Sequence, residues 1–262
     1  MDWSNHYDKS SHSLTLPYDF DDELIDLPDT IIILTTGDKF NQPIENLPHS
    51  LLHLRTGDEF NQSVDDLPPN LISLTFGYSF NQPVNLLPQS LKILTFGSYF
   101  GQSISNLPSK LTHLTLGAYF NRRINQGDLP SSITHLKFGY SFNQLVDFLP
   151  DSIVSLEFGD NFNRTIKSLP SSLKRLTFGD EFNKPVDKDN LPSSLEYLKF
   201  GFDFNQSLDN LPESITHLKL GSDYFLPTTN LPYNLKEITV STKKQIELIK
   251  VPFGCKVVLS CK

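Results

Sequence analysis

Cysteine is nearly missing from this chain: 262 residues hold only Cys255 and Cys261. In an extended strand the two would stand roughly 20 Å apart, whereas a disulfide needs α-carbons within about 7 Å. They are therefore expected to be two buried thiols, sharing a strand face with Val257 and Leu259 as small hydrophobes of an end cap. No run of about 18 apolar residues occurs, which leaves no candidate membrane-spanning helix. The polar start Met1-Asp2-Trp3-Ser4-Asn5-His6 lacks the apolar core of a secretory signal. An intracellular, cytoplasmic protein is the expectation. Cations are in deficit, 22 Lys and Arg against 30 Asp and Glu, which argues against nucleic acid, whose binding rests on clustered cations. Catalytic signatures are also absent: there is no Gly-x-Ser-x-Gly, phosphate loop, His-Glu-x-x-His or paired Cys-x-x-Cys. Neither enzymatic activity nor a cofactor is expected.

What the chain does have is a period. Leu-Pro pairs begin at Leu27, Leu47, Leu67, Leu87, Leu107, Leu129, Leu149, Leu169, Leu191, Leu211 and Leu231, in steps of 20 residues with two of 22, where insertions fall at Asn125 to Asp128 and Asp187 to Asn190. A period of this length implies a solenoid, one supersecondary unit per repeat, with stability supplied by neighbouring coils. Numbered from Leu71, one unit places Leu71, Leu74, Phe76, Phe80, Val84 and Leu87 at positions 1, 4, 6, 10, 14 and 17. Alternation around positions 4 and 6 reads as a short strand with one buried face. Proline at position 13 (Pro43, Pro83, Pro185, Pro227) and again after position 17 removes backbone donors, so the return path should be extended rather than helical.

Glycine recurs at position 7, from Gly37 to Gly221, where the chain needs either positive φ or close approach of two backbones. Asparagine at position 11 (Asn41, Asn61, Asn81, Asn121, Asn143, Asn163, Asn183, Asn205) is expected to form an inward-turned ladder serving turn amides. The glycosylation sequons headed by Asn61, Asn163 and Asn205 are read as structural for that reason. Phe40 and its equivalents through Phe204, at position 10, should make an internal aromatic column. At the front, Leu14, Leu16, Phe20, Leu24 and Leu27 form a degenerate first coil covered by Trp3 and Tyr7. At the back, Thr242-Lys243-Lys244-Gln245 reads as a capping box opening a short helix with Ile246 and Ile249 on one face, followed by a last strand over Lys256 to Ser260. The chain thus divides into an N-terminal cap and first coil (1–26), a solenoid (27–240) and a C-terminal cap (241–262).

The unit Leu-Pro-x-Ser-Leu-x-x-Leu-x-Phe-Gly-x-x-Phe-Asn-Gln-Pro-Ile/Val, nearly intact from Leu47 to Val64, resembles the FNIP repeat, a short leucine-rich-repeat variant, over about Leu14 to Val240. Departures are local: Gly101 replaces Asn, Arg122-Arg123 replace Gln-Pro, and Tyr224-Phe225-Leu226 replace Phe-Asn-Gln. Those coils are expected to be looser. The resemblance implies a mainly β, leucine-rich-repeat-like solenoid of about 20-residue coils, with a parallel sheet on the concave face, an extended convex side and capped ends. The family occurs in amoebal and giant-virus proteins, often behind an F-box or another signalling module. With no F-box sequence ahead of the repeats, a ubiquitin-ligase role would have to be exercised in trans.

Positions 3 and 5 flank the buried strand leucine and line the open face of such a sheet. Cations and histidines gather in its second half, where His113, His135, Lys137, Arg175, Tyr197, Lys199, His217 and Lys219 are the candidate partner-binding residues. Lys137, Arg175, Lys199 and Lys219 would steer an acidic protein partner, and Tyr197 with the rim aromatics Tyr78, Tyr99, Tyr119, Tyr140 and Phe202 would anchor it. The plain alternative is that Thr, Lys, Tyr and His are what any solvated strand face tolerates. His113 and His135 occupy the same position in consecutive coils, yet Thr115 and Lys137 beside them supply no third ligand, so no metal site is assigned. Asp38, Asp58, Glu59, Asp160, Asp180, Glu181, Asp203 and Asp223 form an acidic rim that reads as solubilising. The leading expectation is a non-enzymatic, monomeric protein-interaction scaffold. The alternatives are a solenoid self-assembling through its ends and a target-recognition subunit of a ubiquitin ligase.

Overall fold

The computed structural model describes residues 3–260; the expectation for Cys261 lies outside them. The chain divides into two compact units, the first running to Arg122 with Gly127–Ile133, the second formed by Arg123–Gln126 and the chain from Thr134 onward. In the first, a 3-10 turn (Trp3–His6) precedes β1 (Tyr7–Asp8), β2 (Ser13–Thr15), β3 (Ile33–Thr35), β4 (His53–Arg55), β5 (Ser73–Thr75), β6 (Ile93–Thr95) and β7 (His113–Thr115). β1 pairs antiparallel with β2, and from β2 to β7 each strand pairs parallel with the next in the register Leu14, Leu34, Leu54, Leu74, Leu94, Leu114. The second unit carries β8 (His135–Lys137), β9 (Ser155–Glu157), β10 (Arg175–Thr177), β11 (Tyr197–Lys199), β12 (His217–Lys219), β13 (Glu237–Val240), α1 (Lys243–Leu248) and β14 (Lys256–Leu259). Its strands are parallel throughout, again one per coil.

Each coil turns twice, and proline explains one of the turns. The Pro after position 17 offers only a carbonyl, and that carbonyl accepts the amide of the next position 1, as from Leu71 to Pro68 and Leu195 to Pro192. The other turn closes from the position-10 amide to the position-7 carbonyl, as from Phe40 to Gly37. Between the turns the chain is extended, and the only α-helix among the described residues is α1. Serine at position 20 closes the coil against its predecessor: Ser50, Ser194 and Ser214 donate to the carbonyls of Ile31, Leu173 and Leu195.

The core is aromatic in two interleaved columns. Position 10 gives Phe20, Phe40, Phe60, Phe80, Phe100 and Phe120 in the first unit, with stacked neighbours 6.1–6.3 Å apart wherever both rings are described as a pair. That gap is too wide for ring contact. In two coils a second ring at position 6 fills it, Phe76 lying face to face on Phe80 at 3.6 Å and Phe96 on Phe100 at 3.6 Å; Leu16, Thr36, Thr56 and Leu116 hold that position in the other coils of this unit. The second unit repeats the pairing with Phe138 on Phe142, Phe158 on Phe162, Phe178 on Phe182 and Phe200 on Phe204. Tyr224 continues its position-10 column, fully buried at 6.3 Å from Phe204, with its hydroxyl bonded to Thr228. The coil expected to be loose there is therefore packed, because tyrosine supplies the same ring and Thr228 satisfies its one polar atom.

The asparagine ladder forms, with a different orientation from the one expected. Each Oδ1 accepts the position-11 amide of the next coil: Asn41 from Asn61 at 2.9 Å, Asn61 from Asn81 at 2.9 Å, Asn163 from Asn183 at 3.1 Å and Asn183 from Asn205 at 3.1 Å. These side chains are partly or fully exposed rather than inward, because the amide they serve lies on the outer edge of the turn. Asp21 plays the same part for Asn41 at 2.8 Å, so an acceptor alone suffices. Glutamine at position 12 adds a second rung, as Gln62 to Asn41 and Gln206 to Asn183. Where Arg122 replaces that glutamine, its Nε donates to the Gly101 carbonyl.

Two expectations for the far end are corrected. The capping box is present at Thr242, but Ile246 is 44% exposed and the inward face belongs to Gln245 and Ile249, which stand four residues apart. Gln245 is held in by donating to the Gly221 carbonyl at 2.6 Å and accepting from Ser241 and Thr242. Cys255 is half-buried rather than buried, with its thiol pushed up by desolvation, and Leu259 is 41% exposed, since β14 has only β13 as a neighbour.

Glycine at position 7 answers the choice left by the sequence. None of these residues has positive φ; among described glycines only Gly127 and Gly254 do. A Cβ on Gly97 would fall 1.7 Å from the carbonyl oxygen of Gly77, and one on Gly57 would fall 1.9 Å from that of Gly37. Gly97→Ala should therefore destabilise by more than about 3 kcal/mol, because backbone must move. Gly101→Ala, whose Cβ meets nothing closer than 3.9 Å, should be neutral or stabilising by about 0.5 kcal/mol through the unfolded state. Urea midpoints of the two variants measure the contrast. In the same assay Asn183→Ala should lose about 1–3 kcal/mol for two abandoned donors, while Asn183→Asp keeps most of the stability at neutral pH.

Candidate functional site

Every three-residue strand buries its middle residue and turns its two flanking ones to solvent, as the pattern around Leu74 and Leu176 shows. In the first unit this open face is short and mostly uncharged, with Arg55 its one Lys or Arg between β2 and β7. Above β3 to β5 the absence of glycine side chains leaves a groove of about 670 Å³ lined by Thr35, Arg55, Thr75, Asp38, Asp58 and Tyr78 among others. The Arg55 side chain makes no hydrogen bond or ion pair among the described residues, while its carbonyl accepts from the Thr36 amide. Beside this groove, Tyr78 meets Tyr99 edge-on at 4.8 Å and Tyr99 meets Tyr119 at 5.2 Å.

The second unit carries the charge. Lys137 on β8 is engaged by Glu157 on β9 at 2.6 Å, and Glu237 on β13 by Lys256 on β14 at 3.0 Å. Just ahead of β10 and β11, Lys174 pairs with Glu196 at 3.0 Å. These pairs are half exposed and individually weak, but they occupy each carboxylate on this face. Arg175, Lys199 and Lys219 form no ion pair among the described residues. Lys199 and Lys219 stand opposite each other in the β11–β12 register, an arrangement in which like charges repel.

Seven of the eight sequence-predicted residues lie in the second unit, and His113 in the first. His113 and His135 are exposed, each with Nδ1 about 3 Å from the hydroxyl of the preceding threonine, at 3.0 Å and 2.9 Å. Arg175, Tyr197 and His217 come together along one groove of about 820 Å³, which Lys174, Glu196, Thr216 and Lys236 also line. The Arg175 guanidinium lies over the Tyr197 ring, 4.0 Å from its centroid. Lys199 and Lys219 sit on the same face at the other end of these strands, at position 5. Lys236 and the glycine-floored groove were not anticipated. The signal for Lys236 was position 2, polar in consecutive coils at Lys174, Glu196, Thr216 and Lys236, and the signal for the groove was the run of position-7 glycines that floors it. No group of three or more His, Cys, Asp or Glu among the described residues could hold a metal ion.

On the acidic rim, Asp180 is raised by partial burial and by Asp160 nearby, with Lys199 acting against the shift. Its neighbours at positions 8 and 9 are mostly solvated.

Register-stacked parallel strands, prolines closing the coils and an open polar sheet face define a leucine-rich-repeat solenoid. The FNIP Repeat family matches at residues 20–59, 40–79, 60–86, 83–119, 120–161, 162–203 and 204–243, and the chain belongs to that family. Among solved structures, CroV588, a novel circular LRR protein of a giant virus, superposes with a TM-score of 0.86 at 40% identity, covering 94% of this chain. YopM from Yersinia enterocolitica WA-314 superposes with a TM-score of 0.63 at 24% identity over 90% of this chain, a likeness of fold alone. This chain spans 39% of the CroV588 chain and 52% of the YopM chain. Among curated proteins no relative matches. The fold is typical of protein-protein interaction scaffolds and the repeat class is generally non-enzymatic. No helix among the described residues is long and apolar enough to cross a membrane.

The tyrosine cluster has a titration signature. Tyr78 is pushed up from 10.0 to about 12, first by its hydrogen bond to Tyr99 and then by the charge Tyr99 would carry. A folded-state value above the unfolded one means that its contribution is present below pH 10 and is lost as pH rises through about 12. Ultraviolet titration should resolve two late-ionising tyrosines, Tyr78 and the buried Tyr224, and Tyr99→Phe should return only Tyr78 toward the ordinary value.

Proposed function

We propose that this protein is a non-enzymatic interaction scaffold that holds an acidic segment of a protein partner on the open sheet face of β10, β11 and β12. The observation that carries this reading is the charge pattern of that face: its carboxylates are each taken by a lysine, while Arg175, Lys199 and Lys219 form no ion pair among the described residues, two of them side by side. A folded chain of net charge −8 that concentrates bare cations on one exposed face raises the local concentration of anionic partners and orients them. Tyr197 supplies an anchor among the cations. Lys137, engaged by Glu157, contributes less, and His135 and His217 border the surface.

Affinity capture with wild type and with the double variant Lys199→Glu, Lys219→Glu provides the test. A partner held through this face should be retained at least about tenfold less by the variant and should elute with rising salt, while the urea midpoint stays unchanged. Partners captured equally by both proteins would place docking elsewhere. Size-exclusion with light scattering addresses the self-assembling alternative: a mass that rises with concentration would favour it. Enrichment of cullin or other ligase subunits would favour target recognition in trans.

A further inference from the structure

The groove beside β10 to β12 goes beyond a general attraction for acids, and the inference drawn from it rests on the docking reading above. Besides the paired Lys174, its lining presents three basic groups spread over four consecutive coils: Arg175 on β10, His217 on β12 and Lys236 entering β13. Neither the Arg175 nor the Lys236 side chain has a hydrogen-bonded or ion-paired partner among the described residues. The acids within reach are committed, Glu196 to Lys174 and Glu237 to Lys256. His217 is held at Nδ1 by the Thr216 hydroxyl at 2.9 Å, and that hydroxyl lies 3.2 Å from the Glu196 carbonyl, so the ring is fixed through the neighbouring coil. Its other nitrogen, Nε2, has no partner among the described residues. Arg175 is also fixed. Stacking on Tyr197 at 4.0 Å uses the face of the guanidinium and leaves its N–H edges, which lie in the plane, for an acceptor.

We infer that this groove binds a phosphorylated side chain in an extended segment of the partner protein. Strands β10 and β12 are separated by two strand spacings, about 10 Å, which the long Arg175 side chain and the His217 ring can close on an anion lying above Tyr197. A carboxylate has two oxygens and one charge, so it satisfies the fork of Arg175 or the remaining donors, but not both. A phosphomonoester carries a charge of roughly −1.5 to −2 and three terminal oxygens. It can therefore take the arginine edge bidentately while a further oxygen accepts from His217 or Lys236. Exposed single ion pairs contribute little, so discrimination has to come from several donors meeting one multivalent anion, which is what the groove offers. Lys199 and Lys219 lie on the same face at the other end of the strands, outside the lining of the groove, and steer without belonging to this site.

Fluorescence anisotropy tests the inference, using labelled peptide pools randomised around a fixed central phosphoserine, phosphothreonine or phosphotyrosine, with matched unphosphorylated and glutamate-centred pools. At least one phosphorylated pool should bind about tenfold tighter than its glutamate counterpart. Arg175→Gln should abolish that preference and Lys236→Gln should reduce it, with urea midpoints unchanged because both residues are exposed. Equal binding of glutamate and phosphorylated pools would overturn the phosphate inference and leave acidic docking standing. Binding to none of the pools, or to phosphoinositide-containing vesicles alone, would also overturn it. The docking reading is judged separately, by the Lys199→Glu, Lys219→Glu capture, since those residues lie outside the groove.

Discussion

The contact on which the coils depend is backbone against backbone at the end of each strand. With the carbonyl of one position-7 glycine occupying the space where the next glycine's Cβ would stand, neighbouring coils can approach only if no side chain is present. That approach sets the distance at which every other feature must repeat. It explains why leucines meet leucines in register across β2 to β7 and across β8 to β12. It also explains why one ring per coil leaves space to fill: the phenylalanines of one column stand about 6 Å apart, and position 6 supplies the missing contact with a second ring at Phe76, Phe96, Phe138, Phe158, Phe178 and Phe200, and with Leu or Thr in the other coils of the column.

Repetition also solves a polar problem. Proline-rich return paths leave turn amides without strand partners, and unpaired buried amides are expensive. Each coil meets this need with the side chain of its neighbour: asparagine to amide, glutamine to carbonyl, serine to carbonyl. The second of the longer coils keeps the same register because its extra residues bond among themselves. Asp187 and Asn190 close the second insertion locally, and β10 still meets β11 residue for residue.

With interior and edges so constrained, variation is left to the open face. In the second unit that face separates into committed pairs and bare cations, and Tyr197 sits where the bare ones meet. A scaffold whose rigid coils hold such side chains at fixed spacings can recognise a partner without moving parts.

The repeat period, the strand at each leucine, the aromatic column and the asparagine ladder could all be read from the sequence, because in a solenoid each residue's principal neighbour is its own equivalent one period away. The candidate strip was legible to the same extent: alternation places Arg175, Tyr197, Lys199, His217 and Lys219 on one surface. What one period cannot reveal is how unlike residues resolve their competing contacts. Only the tertiary structure decided that position-7 glycines serve close approach rather than positive φ, that Gln245 displaces Ile246 from the inner face of α1, and that Glu157 claims Lys137 while Arg175 settles on Tyr197. Those outcomes depend on side-chain reach between neighbouring coils, a property of three-dimensional spacing that the order of residues does not state.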